Sequence, residues 1–268
     1  MQGARASLLA IGRLFLHGRF APSAEPQALA PASDWRERLA TGTPFTERES
    51  KAFLAAHGIA VTRETLARDA RAAVHAAAEI GYPVVLKIES PDLPHKTEVG
   101  GVRIGLADAA AVEAAFDDII AAARRHAPAA QLEGVLVQEM VPGGIELIAG
   151  LSRQEPFGMG VVAGAGGVLV ELMRDTVLDL CPIDNAQAHA LVARTRASRL
   201  LQGFRGRPAG DAEAFAALLV RLSQIGAAYG DLLEAVDLNP VAVLPAGRGA
   251  LVLDALVIPR KPTSQGSP

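Results

Sequence analysis

Lys87 stands inside the apolar run Pro83-Val84-Val85-Leu86-Lys87-Ile88, where an ammonium stripped of water is unstable unless an anion meets it. A proline-broken loop with His95-Lys96 follows, and the segment closes on Gly100-Gly101-Val102. The flanking Val84, Val85, Leu86 and Ile88 predict a strand covered on both faces, which favours a ligand-facing ammonium over a lysine snorkelling from a sheet edge. A short hairpin-like path brings His95 and Lys96 back toward Lys87. Three cationic groups held together repel unless an anion sits between them, and this set suggests a polyphosphate. Neutral imidazole is a competent nucleophile toward phosphorus, so His95 is a candidate to carry a phosphoryl group, with Lys96 beside it. Gly100 and Gly101 leave room for close backbone approach.

A second set lies near the C-terminus. Strand alternation puts Asp237 and Asn239 of Asp237-Leu238-Asn239-Pro240 on one face, with Asp254 on a neighbouring strand. Carboxylate and amide oxygens are what Mg²⁺ takes, shared with phosphates and waters, so Asp237, Asn239 and Asp254 are candidate metal ligands. The plainer reading is an Asn-Pro turn with two exposed acids. Ala235, Val236, Val241, Leu253 and Ala255 weaken it, because acids among apolar residues need a cation.

Between these sets, Gln138-Glu139-Met140-Val141-Pro142-Gly143-Gly144-Ile145-Glu146 ends a strand in a Pro-Gly-Gly turn. Exposed main chain there can bind a flat base, with Glu139 and Glu146 available for a ribose or amino groups; taken alone, the two acids read as solvated charges. Gly164-Ala165-Gly166-Gly167 reads equally as a phosphate-cradling nest and as a plain tight turn. No Gly-Lys-Ser/Thr follows it, so it is not a Walker loop.

The elements that must hold these groups alternate between helix and strand. Thr46-Glu47-Arg48-Glu49 has capping-box spacing and starts a helix to His57, stopped by Gly58 before Ile59-Ala60-Val61 enters a strand. A helix over 69–80 ends at Gly81, the Lys87 strand follows, and Gly101 to Leu106 is its antiparallel return. Further helices are expected over 109–125, 185–201 and 211–229. Strands are expected over 134–138, 145–151, 159–163, 168–172, 234–238 and 250–255. The return after Lys87 is too short for a right-handed crossover, so two α+β lobes with mixed sheets fit better than one doubly wound sheet. Residues 1–44 read as an N-terminal helix (Ser7 to Phe20) and a Pro/Ala-rich linker in which Trp35 is a docking point. The folded domain is expected over 45–262, as an N-terminal lobe (45–137) and a C-terminal lobe (138–262), with a disordered tail at 263–268.

Only 4% of the 268 residues are aromatic although half are hydrophobic, so the core must be built from Ala, Val, Leu and Ile. The net charge of −3 gives no basic footprint for nucleic acid, and no apolar run is long enough to cross a membrane as a helix. Cys181 is the single cysteine, which excludes an internal disulfide and a Cys-cluster metal site and fits a cytoplasmic location.

Taken in order, Thr46 to Ala60, Gly81 to Val102, Gly134 to Gly150, Gly164 to Pro182 and Ala235 to Asp254 resemble the ATP-grasp fold. In particular the chain is similar to the ATP-grasp subunit of the ADP-forming acyl-CoA synthetases, relatives of the succinyl-CoA synthetase β chain. His95-Lys96…Gly100-Gly101-Val102 and the Asp-Leu-Asn-Pro…Asp ending together carry the likeness. The resemblance implies ATP/ADP and Mg²⁺ as cofactors, with ATP bound between two lobes. It implies that Lys87 contacts phosphates, that Glu139, Met140 and Val141 form the hinge against adenine, and that Glu146 binds ribose. Asn239 and Asp254, with Asp237 close by, would hold Mg²⁺, and His95 would relay phosphate between subunits. The reaction so implied interconverts acid, CoA and ATP with acyl-CoA, ADP and phosphate, through an acyl phosphate and a phosphohistidine.

Two departures matter. The CoA-binding and ligase domains that carry the family's primary phosphohistidine are not in this sequence, so a separately encoded α-type partner, which binds CoA and a small carboxylic acid, is implied. Asp179 also stands where many relatives have a basic residue. Two other readings keep the fold: a carboxylate ligase without a relay, and a degenerate nucleotide-sensing module that regulates a partner.

Overall fold

Residues 29–30, 32–93, 96–166, 175–203 and 208–261 are described by a computed structural model. Ser7 to Phe20, His95, Gly167, the strand expected over 168–172 and the tail 263–268 lie outside the described residues. Apolar strands build two sheets. The first holds β1 (Glu64–Ala67), β2 (Val84–Glu89), β3 (Val102–Leu106) and β4 (Gly134–Glu139) in the order β1-β4-β2-β3. The second holds β5 (Ile145–Gln154), β6 (Gly158–Ala165), β7 (Thr176–Leu180), β8 (Leu233–Val243) and β10 (Ala255–Pro259) in the order β10-β8-β5-β6-β7, with β9 (Ala250–Val252) on β8. The apolar pattern is continuous in β2 and β4 and more alternating in β8 and β10. Ladders between these strands are all antiparallel, which corrects the expectation of mixed sheets. Among the described residues, parallel pairing is confined to one bridge, Val61 to Val252.

The helices are α1 (Ser33–Ala40), α2 (Glu47–Ala56), α3 (Ala70–Ile80), α4 (Ala109–His126), α5 (Asn185–Ala193), α6 (Ser198–Leu201) and α7 (Ala212–Tyr229). Thr46 and Glu49 form the reciprocal capping box that its spacing predicts. Asp69, Asp108, Asp184 and Asp211 each accept a first-turn N–H, satisfying donors that the helix itself leaves open.

Two cores result. Helices α3 and α4 cover the first sheet through Ala73, Ala76, Ala77, Val112, Phe116 and Ile119, set against Leu86, Ile88, Val135 and Val137. The many alanines let these helices lie close to the sheet, as the low aromatic content requires. The second core packs α5 and α7 on the larger sheet. Leu39, Phe45, Phe53, Leu54 and Ile59 belong to this second core although they precede the first sheet in the chain. Helix α2 therefore lies on β10. Trp35, expected as a docking point, packs against the second core, tilted to Phe45 at 6.1 Å and edge-on to Phe53 at 5.4 Å.

Local chemistry explains where pattern reading and structure part. The strand expected at 59–61 is only the Val61 bridge, and the strand proper begins at Glu64. The helix expected over 185–201 breaks between Ala193 and Ser198. There the Thr195 hydroxyl donates to the Val192 carbonyl (2.8 Å) and accepts from the Ser198 N–H (3.1 Å), competing with the helical ladder. Strand β7 was not anticipated. Strand β8 runs through Asn239-Pro240 because its ladder to β5 shifts register there: Leu147 faces Val241 but Ala149 faces Leu238. This bulge accommodates a residue without an N–H. The chain over 250–255 splits into β9 and the start of β10, with Asp254 in the bend between them.

At the edge of the second core the Tyr229 hydroxyl accepts the Ala32 N–H (2.8 Å) and bonds His57 Nε2 (2.8 Å), while His57 Nδ1 lies 2.7 Å from the Phe53 carbonyl. Replacing Tyr229 by Phe leaves buried polar groups unmet, and we expect a loss of about 1–3 kcal/mol in chemical denaturation.

Candidate functional site

Strand β2 is buried along its whole length, and Lys87 is 7% exposed. The anion that an interior ammonium requires is present, and in this structure it is a carboxylate of the chain itself. Lys87 Nζ donates to Glu47 Oε1 at 2.6 Å and to the Leu253 carbonyl at 3.0 Å, with Asp254 at 3.5 Å. Glu47 is the first residue of α2 and only 5% exposed. The capping box at Thr46 fixes its position, and the positive end of the helix dipole favours its charge.

The same carboxylate takes two more ammonium groups. Lys51, one turn along α2, donates to Glu47 Oε1 at 2.8 Å, and Lys96 donates to Glu47 Oε2. Lys51 also reaches Thr62 (3.0 Å), Glu64 (2.7 Å) and Gln138 (2.9 Å), so its donors are fully engaged. Burial alone would raise the pKa of Glu47; the charges of Lys87, Lys96 and Lys51 overcome it and hold the carboxyl well below its usual range. Burial would lower the Lys87 ammonium, but Glu47 and Asp254 raise it instead. Glu89, fully buried at the end of β2, is pushed up by burial; its Oε2 has no hydrogen bond and Lys96 lies 3.7 Å away.

The loop between β2 and β3 is pinned on both sides of residues 94–95. Ser90 Oγ donates to the Gln131 carbonyl (2.6 Å), and Asp92 accepts the Gln131 N–H (2.7 Å). Beyond, the Gly101 N–H donates to the Lys96 carbonyl at 2.8 Å. Gly100 has a positive φ of 67°. Gly101 is required by crowding: a Cβ there would lie 2.5 Å from Ile88 Cγ2 and 2.9 Å from the Lys96 carbonyl oxygen. The described contacts of this glycine are thus with β2 and with its own loop.

A cleft of about 500 Å³ opens between the sheets, lined by Thr46, Glu47, Lys96, Thr97, Asn239 and Asp254 among others. Asp237 and Asn239 share one face of β8, as alternation predicts, and both are exposed there, which corrects the expectation that apolar neighbours bury this set. The Asn239 N–H donates to the Asp254 carbonyl at 3.2 Å, tying the two halves of the candidate metal set together. Burial pushes Asp237 up, and the Asp254 charge adds to it. Burial also raises Asp254, with Glu47 adding and Lys87 opposing. Two crowded, mutually repelling carboxylates beside an amide suit a divalent cation. Among the described residues no cluster of three or more His, Cys, Asp or Glu side chains encloses a metal site. Mg²⁺ commonly takes one or two carboxylates and completes its shell with phosphate and water, so this set fits it.

The remaining candidates are placed apart from these. Val141 and Glu146 line a second hollow of about 490 Å³ with Gly144, Ala209 and Pro245, which shares no lining residue with the first. Met140 is half-buried in the link from β4 to β5. Glu139 turns to Arg63, bonding its Nε (2.9 Å) and its backbone N–H (2.8 Å). Gly164 and Ala165, expected in a glycine loop, belong to β6. A Cβ on Gly164 would meet the Asp175 carbonyl at 2.5 Å, so the small residue serves strand packing. Asp179 pairs with Arg194 at 3.0 Å.

Glu47, Lys51 and Glu89 went unrecognised in the sequence. The usable signal was the Glu47/Lys51 pair at i,i+4 on the same helix face as Leu54, a face that the structure buries.

These features are those of an ATP-grasp domain: the ATP-grasp domain family matches residues 38–258, and the chain belongs to it. It is similar to the β subunit of the ADP-forming acetate–CoA ligase II of Pyrococcus furiosus, 34% identical over 223 residues, covering 83% of this chain and 94% of that one. It is also 38% identical over 211 residues (79% of this chain) to the ADP-forming 4-hydroxybutyrate–CoA ligase of Nitrosopumilus maritimus, but spans only 30% of that protein's length. Among solved structures, the dinucleotide-forming acetyl-coenzyme A synthetase 1 of Ca. Korarchaeum cryptofilum, with coenzyme A and Ca-AMPCP, superposes with a TM-score of 0.78. The identity is 42%, over 81% of this chain and 94% of that one. A second structure of that synthetase holds Mg-AMPPCP, with its phosphohistidine segment pointing towards the nucleotide binding site. No helix among the described residues is long and apolar enough to cross a membrane.

The raised pKa of Asp237 has a sign that can be checked. Its ionised form is disfavoured in the folded chain, so in metal-free buffer Asp237→Asn should raise the thermal midpoint at pH 7. That gain should fade as pH falls through the raised folded value toward the ordinary aspartate range. A gain that is constant across this range would show that the charge is not its source.

Proposed function

We propose that this chain is the nucleotide-binding subunit of an ADP-forming acyl-CoA ligase, acting with an α-type partner that binds CoA and a small carboxylic acid. The partner would carry the primary phosphohistidine. The observation that carries this reading is the cleft lined by Lys96, Asn239 and Asp254, with the buried Lys87 ammonium 3.5 Å from Asp254, in a chain that matches nearly the whole of a β subunit. In this reading ATP lies between the two sheets. Lys87 and Lys96 neutralise charge on its phosphates, and Gly100 and Gly101 shape the loop beside them. Glu139, Met140 and Val141 present the hinge to adenine, and Glu146 holds ribose. Asn239, Asp254 and Asp237 would hold Mg²⁺, which shields phosphate charge when bound.

The chemical step assigned to this chain is transfer of the γ-phosphoryl group. A neutral His95 ring nitrogen forms the P–N bond as the bond to the ADP oxygen breaks, and ADP keeps that electron pair. Such transfer depends on positioning and charge neutralisation, which the lysines supply. Phosphohistidine then passes the group toward the partner, where acid and CoA become acyl-CoA and phosphate. The same steps run in reverse.

Incubation with γ-labelled ATP, or with a phosphorylated partner, should place label on the full chain. His95→Ala should remove the label while changing nucleotide affinity by no more than about twofold, because the imidazole is needed for the bond and not for the grip. Label that survives His95→Ala would falsify the relay.

A further inference from the structure

We propose that Glu47 is a positioning residue for the nucleotide site: one buried carboxylate from the start of α2 holds Lys87 of β2 and Lys96 of the β2–β3 loop side by side, so that both ammonium groups face one phosphate chain. This rests on the nucleotide site proposed above. Glu47 Oε1 serves Lys51 and Lys87, and Oε2 serves Lys96. The three lysines come from a helix, a strand and a loop, and in the absence of the carboxylate they would be like charges in a poorly hydrated space.

The donors divide into two groups. Lys51 is saturated by Glu47, Thr62, Glu64 and Gln138, so it belongs to the frame that fixes the carboxylate. An ammonium has three donors. Lys87 commits two, to Glu47 and the Leu253 carbonyl, with Asp254 at 3.5 Å, and Lys96 commits one, to Glu47, with Glu89 at 3.7 Å. The donors left on Lys96, which lines the cleft, and the one left on Lys87, beside Asp254, are what the site offers to a phosphate. The Lys96 bond also fixes one end of the loop that carries His95. Glu47 thus acts through its lysines and makes no phosphate contact of its own, since two anions would repel.

The test is the affinity of the full chain for Mg²⁺·ADP and for a non-hydrolysable ATP analogue, by calorimetry, with thermal midpoints recorded alongside. Glu47→Gln should weaken binding by at least about tenfold, while Glu47→Asp, which keeps the charge, should recover most of that loss. In combination with Lys96→Met, the double variant should lose clearly less than the product of the two single losses. Unchanged affinity in Glu47→Gln, or fully multiplicative losses, overturns the proposal. If the amide variant does not fold, Lys51→Met, which frees the carboxylate from its frame without touching the cleft, takes its place in the cycle with Lys96→Met, and unchanged affinity or fully multiplicative losses there overturn the proposal. Labelling of His95 is read separately. Wild-type protein that binds nucleotide but takes no label defeats the relay alone, and wild-type protein that binds no nucleotide defeats both readings.

Discussion

A single buried ion cluster sets the terms for the rest of the molecule. Taking a charge out of water costs several kcal/mol even after the protein relaxes, and the cost is offset only if every partner is in place. Glu47 meets that condition with three ammonium groups, and Lys51 meets it with four acceptors. The residues come from α2, β1, β2, β4 and the β2–β3 loop, so the cluster forms only when the first sheet and helix α2 are correctly apposed. Helix α2 is meanwhile built into the second core through Phe53 and Leu54. The electrostatics therefore join the two cores where the cleft opens.

Much of this was legible in the sequence, for identifiable reasons. A lysine within four apolar neighbours predicted a buried strand, which is present, and a ligand-facing ammonium met by a polyphosphate, where the structure shows the Glu47 carboxylate. The identity of that anion was hidden because Glu47 sits in a capping box, where an acid is already explained by the helix start, and its partner Lys87 lies 40 residues away. Strand alternation correctly put Asp237 and Asn239 on one face. It could not show that β8 continues through Pro240, because the bulge that permits this depends on the register of β5. The break after Ala193 was equally invisible to periodicity, since it is made by the Thr195 hydroxyl. Glu139 and Glu146 lie seven positions apart in sequence, and no periodicity told that one is bound to Arg63 while the other lines the second hollow.

The glycines divide in a similar way. Gly101 and Gly164 look alike in sequence, as members of glycine-rich stretches that suggest phosphate binding. Each is required by the close approach of a neighbouring segment of this chain. Glycine enrichment reports tight backbone approach, and only the surrounding charges indicate whether a ligand takes part. Around Gly101 those charges are Lys87, Lys96 and Glu47.

The Leu253 peptide connects the two halves of the cleft. Its carbonyl accepts from Lys87 of the first sheet, and its N–H donates to the Pro240 carbonyl at the β8 bulge of the second. Asn239 and Asp254 lie on either side of that hydrogen bond. The position of the interior ammonium relative to the main chain that carries Asn239 and Asp254 is thus set by the hydrogen bonds of Leu253. The cleft works as a caliper whose jaws are fixed by peptide geometry, and whatever enters must match its gauge.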